Sequence, residues 1–195
     1  MTTKLFFMKS PYLKITVAAA LVACAVFTLQ SCTKVATILT YDLSMQTGSV
    51  DFTIPVISDT NDLFTAGPYT NSLNVDSFIK AKTSGQLGAA NITSVKLSSV
   101  LLVLKNATAT SNFEDFSTCY ASFYSNTTTT PYTLSKPDND TAFSSTLSLP
   151  VDTTAELKTY LGTDFTYYVT GKLHDVTYIP LQCTVTYTFS IKVQG

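Results

Sequence analysis

The chain is expected to be all-β, an antiparallel β-sandwich, Ig-like or related, of about seven strands with one or two short connecting helices. Three observations lead there. Residues 181–193 place Leu181, Cys183, Val185, Tyr187, Phe189, Ile191 and Val193 on one phase and Gln182, Thr184, Thr186, Thr188, Ser190 and Lys192 on the other. That is the period-two pattern of a long strand with one buried and one wet face. Shorter runs of the same kind recur along the chain, separated by turn residues. Charged residues make up only 13% of the sequence, so its polar positions are filled largely by Ser, Thr and Asn, and Thr suits strands through its branched Cβ.

Taken in order, a first strand is expected within 37–45. Further strands follow at Val50-Phe52-Ile54-Val56, Val95-Leu97-Ser99-Leu101-Val103, Cys119-Ala121-Phe123, Phe143-Ser145-Leu147-Leu149 and Phe165-Tyr167-Val169, before the long final one. Around 99–104 both phases are apolar, which predicts a central strand covered on both faces. Asn74 followed by Val75, Phe78 and Ile79 predicts a short helix over 74–81, and Asp152, Ala155, Leu157 and Leu161 with Gly162 as a stop predict a second over 152–161. Gly67-Pro68, Gly85, residues 127–131 and residues 137–140 are read as loops.

The N-terminus reads as a targeting segment. Lys4, Lys9 and Lys14 precede an apolar stretch over 15–29, the length of a signal-peptide core rather than the roughly 20 residues of a membrane span. It ends in Leu29-Gln30-Ser31-Cys32, a lipobox: a Leu at minus three, a small residue at minus one and a Cys whose sulfur receives diacylglycerol before cleavage. Leu21-Val22-Ala23-Cys24 also satisfies the rule. Cleavage there would leave Ala25-Val26-Phe27-Thr28-Leu29 as an apolar tail, so Cys32 is taken as the lipidated residue, with Cys24 the alternative. The expected organisation is a signal peptide over 1–31, a lipidated tether over 32–41 and the sandwich over 42–195. No cofactor is expected beyond the diacylglycerol and acyl (palmitate) modification at Cys32.

Cys119 and Cys183 remain as an even pair in an oxidising compartment. Both fall on apolar strand phases facing one core. They are read either as a disulfide or as two buried thiols behaving as small hydrophobes. A net charge of −1 argues against a nucleic-acid partner or a polybasic membrane patch.

Catalytic signals are weak. The single histidine, His174, stands beside Asp175 in an expected turn, and no Gly-x-Ser-x-Gly elbow supplies a nucleophile. Asp59, Asp62, Asp115, Asp138 and Asp140 would allow a carboxylate pair for glycoside hydrolysis, as any set of acidic loops does. Asp138-Asn139-Asp140 and Asp59-Thr60-Asn61-Asp62 offer oxygen ligands at calcium-like spacing, but neither has the downstream Glu and Gly of an EF-hand loop. The plainer reading is turn-forming Asx chemistry, and no metal site is expected. Tyr120 and Tyr124 share the phase opposite Cys119 and Phe123, and Tyr168 lies opposite Tyr167. These three tyrosines are a candidate outward platform for a sugar or protein partner, set against ordinary cross-strand packing.

The lipobox with Gln30, the Thr/Ser/Asn-rich mature chain and the run Ile92-Thr93-Ser94-Val95-Lys96-Leu97-Ser98-Ser99-Val100 together resemble small outer-membrane lipoproteins of Bacteroidota. The resemblance implies a β-sandwich domain of unassigned role. An acidic run after the lipidated Cys marks export to the cell surface in many such proteins, whereas here Thr33-Lys34-Val35-Ala36 follows, which favours the periplasmic face of the outer membrane. The expected role is a noncatalytic binding or assembly module with an envelope protein or glycan partner. The alternatives are an envelope hydrolase acting on glycans and a purely structural envelope subunit.

Overall fold

Alternation along the last strand organises the molecule. The structure, a computed structural model, describes residues 38–136 and 143–195, so the signal peptide expected over 1–31, Cys24, Cys32 and the pair Asp138 and Asp140 lie outside the described residues. Nine strands are present among the described residues: β1 (Thr40–Gln46), β2 (Val50–Ile54), β3 (Phe64–Ser72), β4 (Ile92–Leu104), β5 (Phe116–Ser125), β6 (Thr128–Lys136), β7 (Thr146–Leu149), β8 (Asp164–Leu173) and β9 (Leu181–Gln194). One sheet has the order β1-β9-β4-β7, with β2 continuing the β1 edge along β9; the other has the order β3-β8-β5-β6. All pairings are antiparallel. The sandwich is thus as the pattern predicts, with two strands more than expected and its first strand starting at Thr40.

The phases decide the core. Leu181, Cys183, Val185, Tyr187, Phe189, Ile191 and Val193 are all buried. The sheets meet through aromatic rings: Phe123 of β5 stands edge-on to Tyr187 and Phe189 of β9 at centroid distances of 5.4 and 5.6 Å, and Tyr167 of β8 lies 5.1 Å from Tyr187. Such pairs add about 0.5–1.5 kcal/mol each beyond their buried area. The Tyr187 hydroxyl donates across the core to the Ser122 carbonyl oxygen at 3.4 Å, which satisfies its polar end in place.

Four expectations are corrected. β4 is interior to its sheet, between β9 and β7, yet Leu101 is 42% exposed, so that strand is covered on one face only. Residues 127–131 are not a loop. They open β6 as the second arm of a hairpin, and Pro131 is tolerated because β6 is an edge strand whose register slips between Phe123 and Ser125 of its partner. Gly67-Pro68 likewise lies inside β3, at a bulge between Ala66 and Tyr69 on the opposite edge of the same sheet. Phe143 is 57% exposed, and the strand there begins only at Thr146.

The second helix does not form. Of residues 152–161 only Lys158–Tyr160 make a 3-10 turn. Two competitors win. The Asp152 carboxylate accepts from the Thr154 N–H at 2.8 Å and from its hydroxyl at 2.6 Å, a local turn that displaces a helical start. The free edge of β4 then takes the next residues: Leu157 N–H donates to the Val95 carbonyl oxygen at 2.7 Å, and the Glu156 carboxylate accepts from Val95 N–H at 2.8 Å and from Ser94 Oγ at 2.7 Å. Burial opposes ionisation of Glu156, but the donors Ser94, Val95 and Lys158 outweigh it and hold its pKa below the usual value. The first helix does form, as α1 (Val75–Lys82).

Phe123 is the ring through which the two sheets clasp. Phe123→Ala is expected to destabilise the fold by about 3–5 kcal/mol, measured by urea unfolding followed by circular dichroism. A loss below about 0.5 kcal/mol, the range of ordinary surface substitutions, would contradict this packing.

Candidate functional site

A concavity opens at one end of the sandwich, a cavity of about 710 Å³ where the end of β3, the start of α1, the entry to β4, the β5–β6 turn and the entry to β8 converge. Each wall has a local cause. The Asn74 side chain caps α1 by accepting from Ser77 N–H at 2.8 Å, the N-cap role that Asn fills well. Asp76 in the first turn accepts from Ala89 N–H at 2.9 Å and from Lys80 Nζ at 2.6 Å. This ties the helix to the segment entering β4 and places Val75, Ala89 and Ile92 along the cavity.

The opposite wall is built on Asn126. Its Oδ1 accepts from Thr163 N–H and its Nδ2 donates to Thr163 Oγ1, both at 3.1 Å, while its own N–H donates to the Asp164 carbonyl oxygen at 3.1 Å. Gly162 makes this approach sterically feasible, since a Cβ there would lie 2.0 Å from Asn126 Oδ1. Leu73 N–H donates to the Thr163 carbonyl oxygen at 2.7 Å, joining the two walls. Lys158 Nζ donates to the Ile92 carbonyl oxygen.

Electrostatics at the cavity are settled by partners from the fold itself. Asp164 accepts from Ser72 Oγ at 2.6 Å and from Thr163 Oγ1 at 3.0 Å, and these hydroxyls hold its pKa below the usual aspartate value. The Lys80 ammonium, followed by the Ala89 N–H, does the same for Asp76. Both carboxylates are therefore ionised at neutral pH, and neither is poised as a proton donor. What remains facing inward is mainly hydrocarbon, from Leu73, Val75, Ala89, Ile92 and Leu161. A concave, mostly apolar space of this size with a few polar groups at its margin is the usual form of a small-ligand site.

The residues singled out from sequence lie elsewhere. Tyr120, Tyr124 and Tyr168 are gathered on the outer face of the β3-β8-β5-β6 sheet, with Tyr120 opposite Thr170 and Tyr124 opposite Thr166, so that Tyr168 sits diagonally between them. The Tyr124 and Tyr168 rings are 5.7 Å apart and tilted by 39°. All three are half-buried, and burial together with the Tyr124 hydroxyl pushes the Tyr168 phenol up to about 12. The Tyr124 and Tyr168 rings pack together on a Thr-rich face that also carries Tyr120, separate from the cavity.

His174 and Asp175 are exposed in the β8–β9 connection, where His174 N–H donates to the Asp115 carbonyl oxygen at 2.7 Å. Asp59 accepts from Asn61 N–H at 2.8 Å, the Asx turn that its spacing suggested as the plainer reading. Among the described residues no group of three or more His, Cys, Asp or Glu side chains comes together as a metal site. The cavity residues are not legible in the sequence because they come from four separate segments, 72–76, 89–92, 126–127 and 158–164. The one usable signal is Gly162-Thr163-Asp164 directly before an alternating strand, of which only Gly162 has a role in the sequence reading, as a helix stop.

Cys119 and Cys183 are buried in opposite sheets with free thiols. Burial pushes the Cys183 thiol up to about 12, and pushes Cys119 up further, with Cys183 adding to the effect. Because thiolate is the reactive form, neither is expected to take up iodoacetamide in the folded protein at about pH 8, and both are expected to do so after unfolding in urea. Rapid labelling of the native protein would contradict their burial; absence of label after unfolding without reductant would show a disulfide instead. No protein-family model matches the chain, and a search of curated proteins found no match.

Proposed function

We propose that this protein is a lipid-anchored lipoprotein of the bacterial cell envelope, held through Cys32 at the periplasmic face of the outer membrane, and that it acts there as a noncatalytic binding module. The cavity at the end of the sandwich carries the binding part of this reading: it offers an apolar interior of about 710 Å³, and its two carboxylates are already engaged by Ser72, Thr163, Lys80 and Ala89. Such a site holds a ligand rather than transferring protons to one. The anchoring part is supported by Leu29-Gln30-Ser31-Cys32 and the three lysines before it, and by the resemblance in composition to small lipoproteins of Bacteroidota. Two or more acyl chains on Cys32 would make the attachment stable, where one would leave it reversible.

Metabolic labelling with palmitate, followed by separation of inner and outer membranes, tests the anchor. The unaltered protein and a Cys24→Ala variant are expected to carry label and to fractionate with the outer membrane, and Cys32→Ala to lose both. Label retained by Cys32→Ala and lost from Cys24→Ala would move the anchor to Cys24, and label on neither cysteine would refute the lipoprotein reading.

A further inference from the structure

We propose that the end cavity takes a fatty acyl chain, presented as a neutral ester or amide. The inference deepens the binding-module reading above and rests on it for the source of the chain. Its chemical basis is what the cavity leaves unpaired. Asn126 is spent on Thr163, Asp76 on Lys80 and Ala89, Asp164 on Ser72 and Thr163, and Lys158 on the Ile92 carbonyl oxygen. A polar ligand would give up its water for donors and acceptors that already have partners, whereas a hydrocarbon chain asks only for the apolar wall made by Leu73, Val75, Ala89, Ile92 and Leu161. Lys80 is held by Asp76 and Lys158 by the Ile92 carbonyl oxygen, which leaves no uncommitted ammonium to receive an anionic head such as free fatty acid and favours the neutral acyl ester or amide.

The position of the cavity says where such a chain would come from. Ile92 pairs with Val193, Asn91 Nδ2 donates to the Gln194 carbonyl oxygen at 3.2 Å, and Leu39 N–H donates to the Gly195 carbonyl oxygen at 3.1 Å. The cavity therefore opens at the same end of β9 at which the described chain enters. From Cys32 to Ile38 the chain can extend on the order of 20 Å at most, which keeps this end of the sandwich within reach of a bilayer surface. Transfer of a chain from bilayer hydrocarbon into an apolar cavity is nearly neutral in hydrophobic terms, so occupancy is decided by packing and by the high effective concentration that a short tether gives. The chain is either one of the acyl groups on Cys32 or one from a neighbouring lipid.

The test feeds cells a palmitate analogue carrying a mid-chain diazirine and a terminal alkyne, irradiates them, and maps the adducts on the purified full chain by mass spectrometry. Adducts are expected in 72–92 and 158–164, and both Ala89→Trp and Leu161→Trp, which fill the cavity, are expected to reduce them to the level of the non-irradiated control while keeping a cooperative unfolding transition. A cross-link joining these segments to the lipidated N-terminal peptide identifies the protein's own acyl chain; a lipid-only adduct identifies a neighbouring one. Adducts confined to other segments, or unchanged in whichever of the two variants folds, would overturn the inference. Label on Cys32 is read in the same digest: label there without cavity adducts refutes the acyl site alone, cavity adducts without label there refute the anchor alone, and absence of both counts against both.

Discussion

The backbone pairing of β9 is the constraint on which the rest of the structure depends. This fourteen-residue strand bonds to β1 and β2 along one side and to β4 along the other, so both its hydrogen-bonding edges are satisfied over nearly its whole length. At about 3.4 Å per residue it runs roughly 45 Å. Its inward side chains supply the floor of the core from Leu181 to Val193, and a slip of one residue would turn all of them to solvent. The register of the larger sheet is fixed for that reason.

The second sheet closes on this floor through aromatic contacts rather than through pairing. Phe123, Phe165 and Tyr167 meet Tyr187 and Phe189 at ring separations between 5.1 and 6.4 Å. Gly171 lets the layer close at its far end, since a Cβ there would lie 2.7 Å from the Phe64 ring and 2.6 Å from the Thr118 carbonyl oxygen. At the other end the layers are bridged by connections instead: α1 held by Asp76, and the 152–162 segment held by Glu156 and Leu157 on the free edge of β4. These connections line the space without filling it, and the cavity is the result. The same physical event, capture of Glu156 by a strand edge, both removes a helix and builds a wall.

How much of this could be read in the sequence depends on where the information sits. Strand phases are local, so β4, β5, β8 and β9 and the outward set of Tyr120, Tyr124 and Tyr168 follow from alternation alone. Strands β3 and β6 were hidden by Gly67-Pro68 and Pro131, because proline signals a loop unless the strand is known to lie on an edge, and edge position is a property of the whole sheet. The 152–161 segment carried a helical spacing that was overruled by the Val95 edge, some sixty residues earlier in the chain. The cavity was illegible for the same reason: its walls are brought together by strand order, and none of its segments announces the others.

Native-state hydrogen exchange is the most direct measurement of the central claim, that the fold is built on β9 and that its open end is held by connections. The amides of β9 and of the β4 residues paired to it are expected to exchange only through global unfolding, and those of α1 and of residues 152–162 through smaller local openings. Exchange of β9 ahead of the edge strands β3 and β6, or of the end connections as slowly as the core, would contradict it.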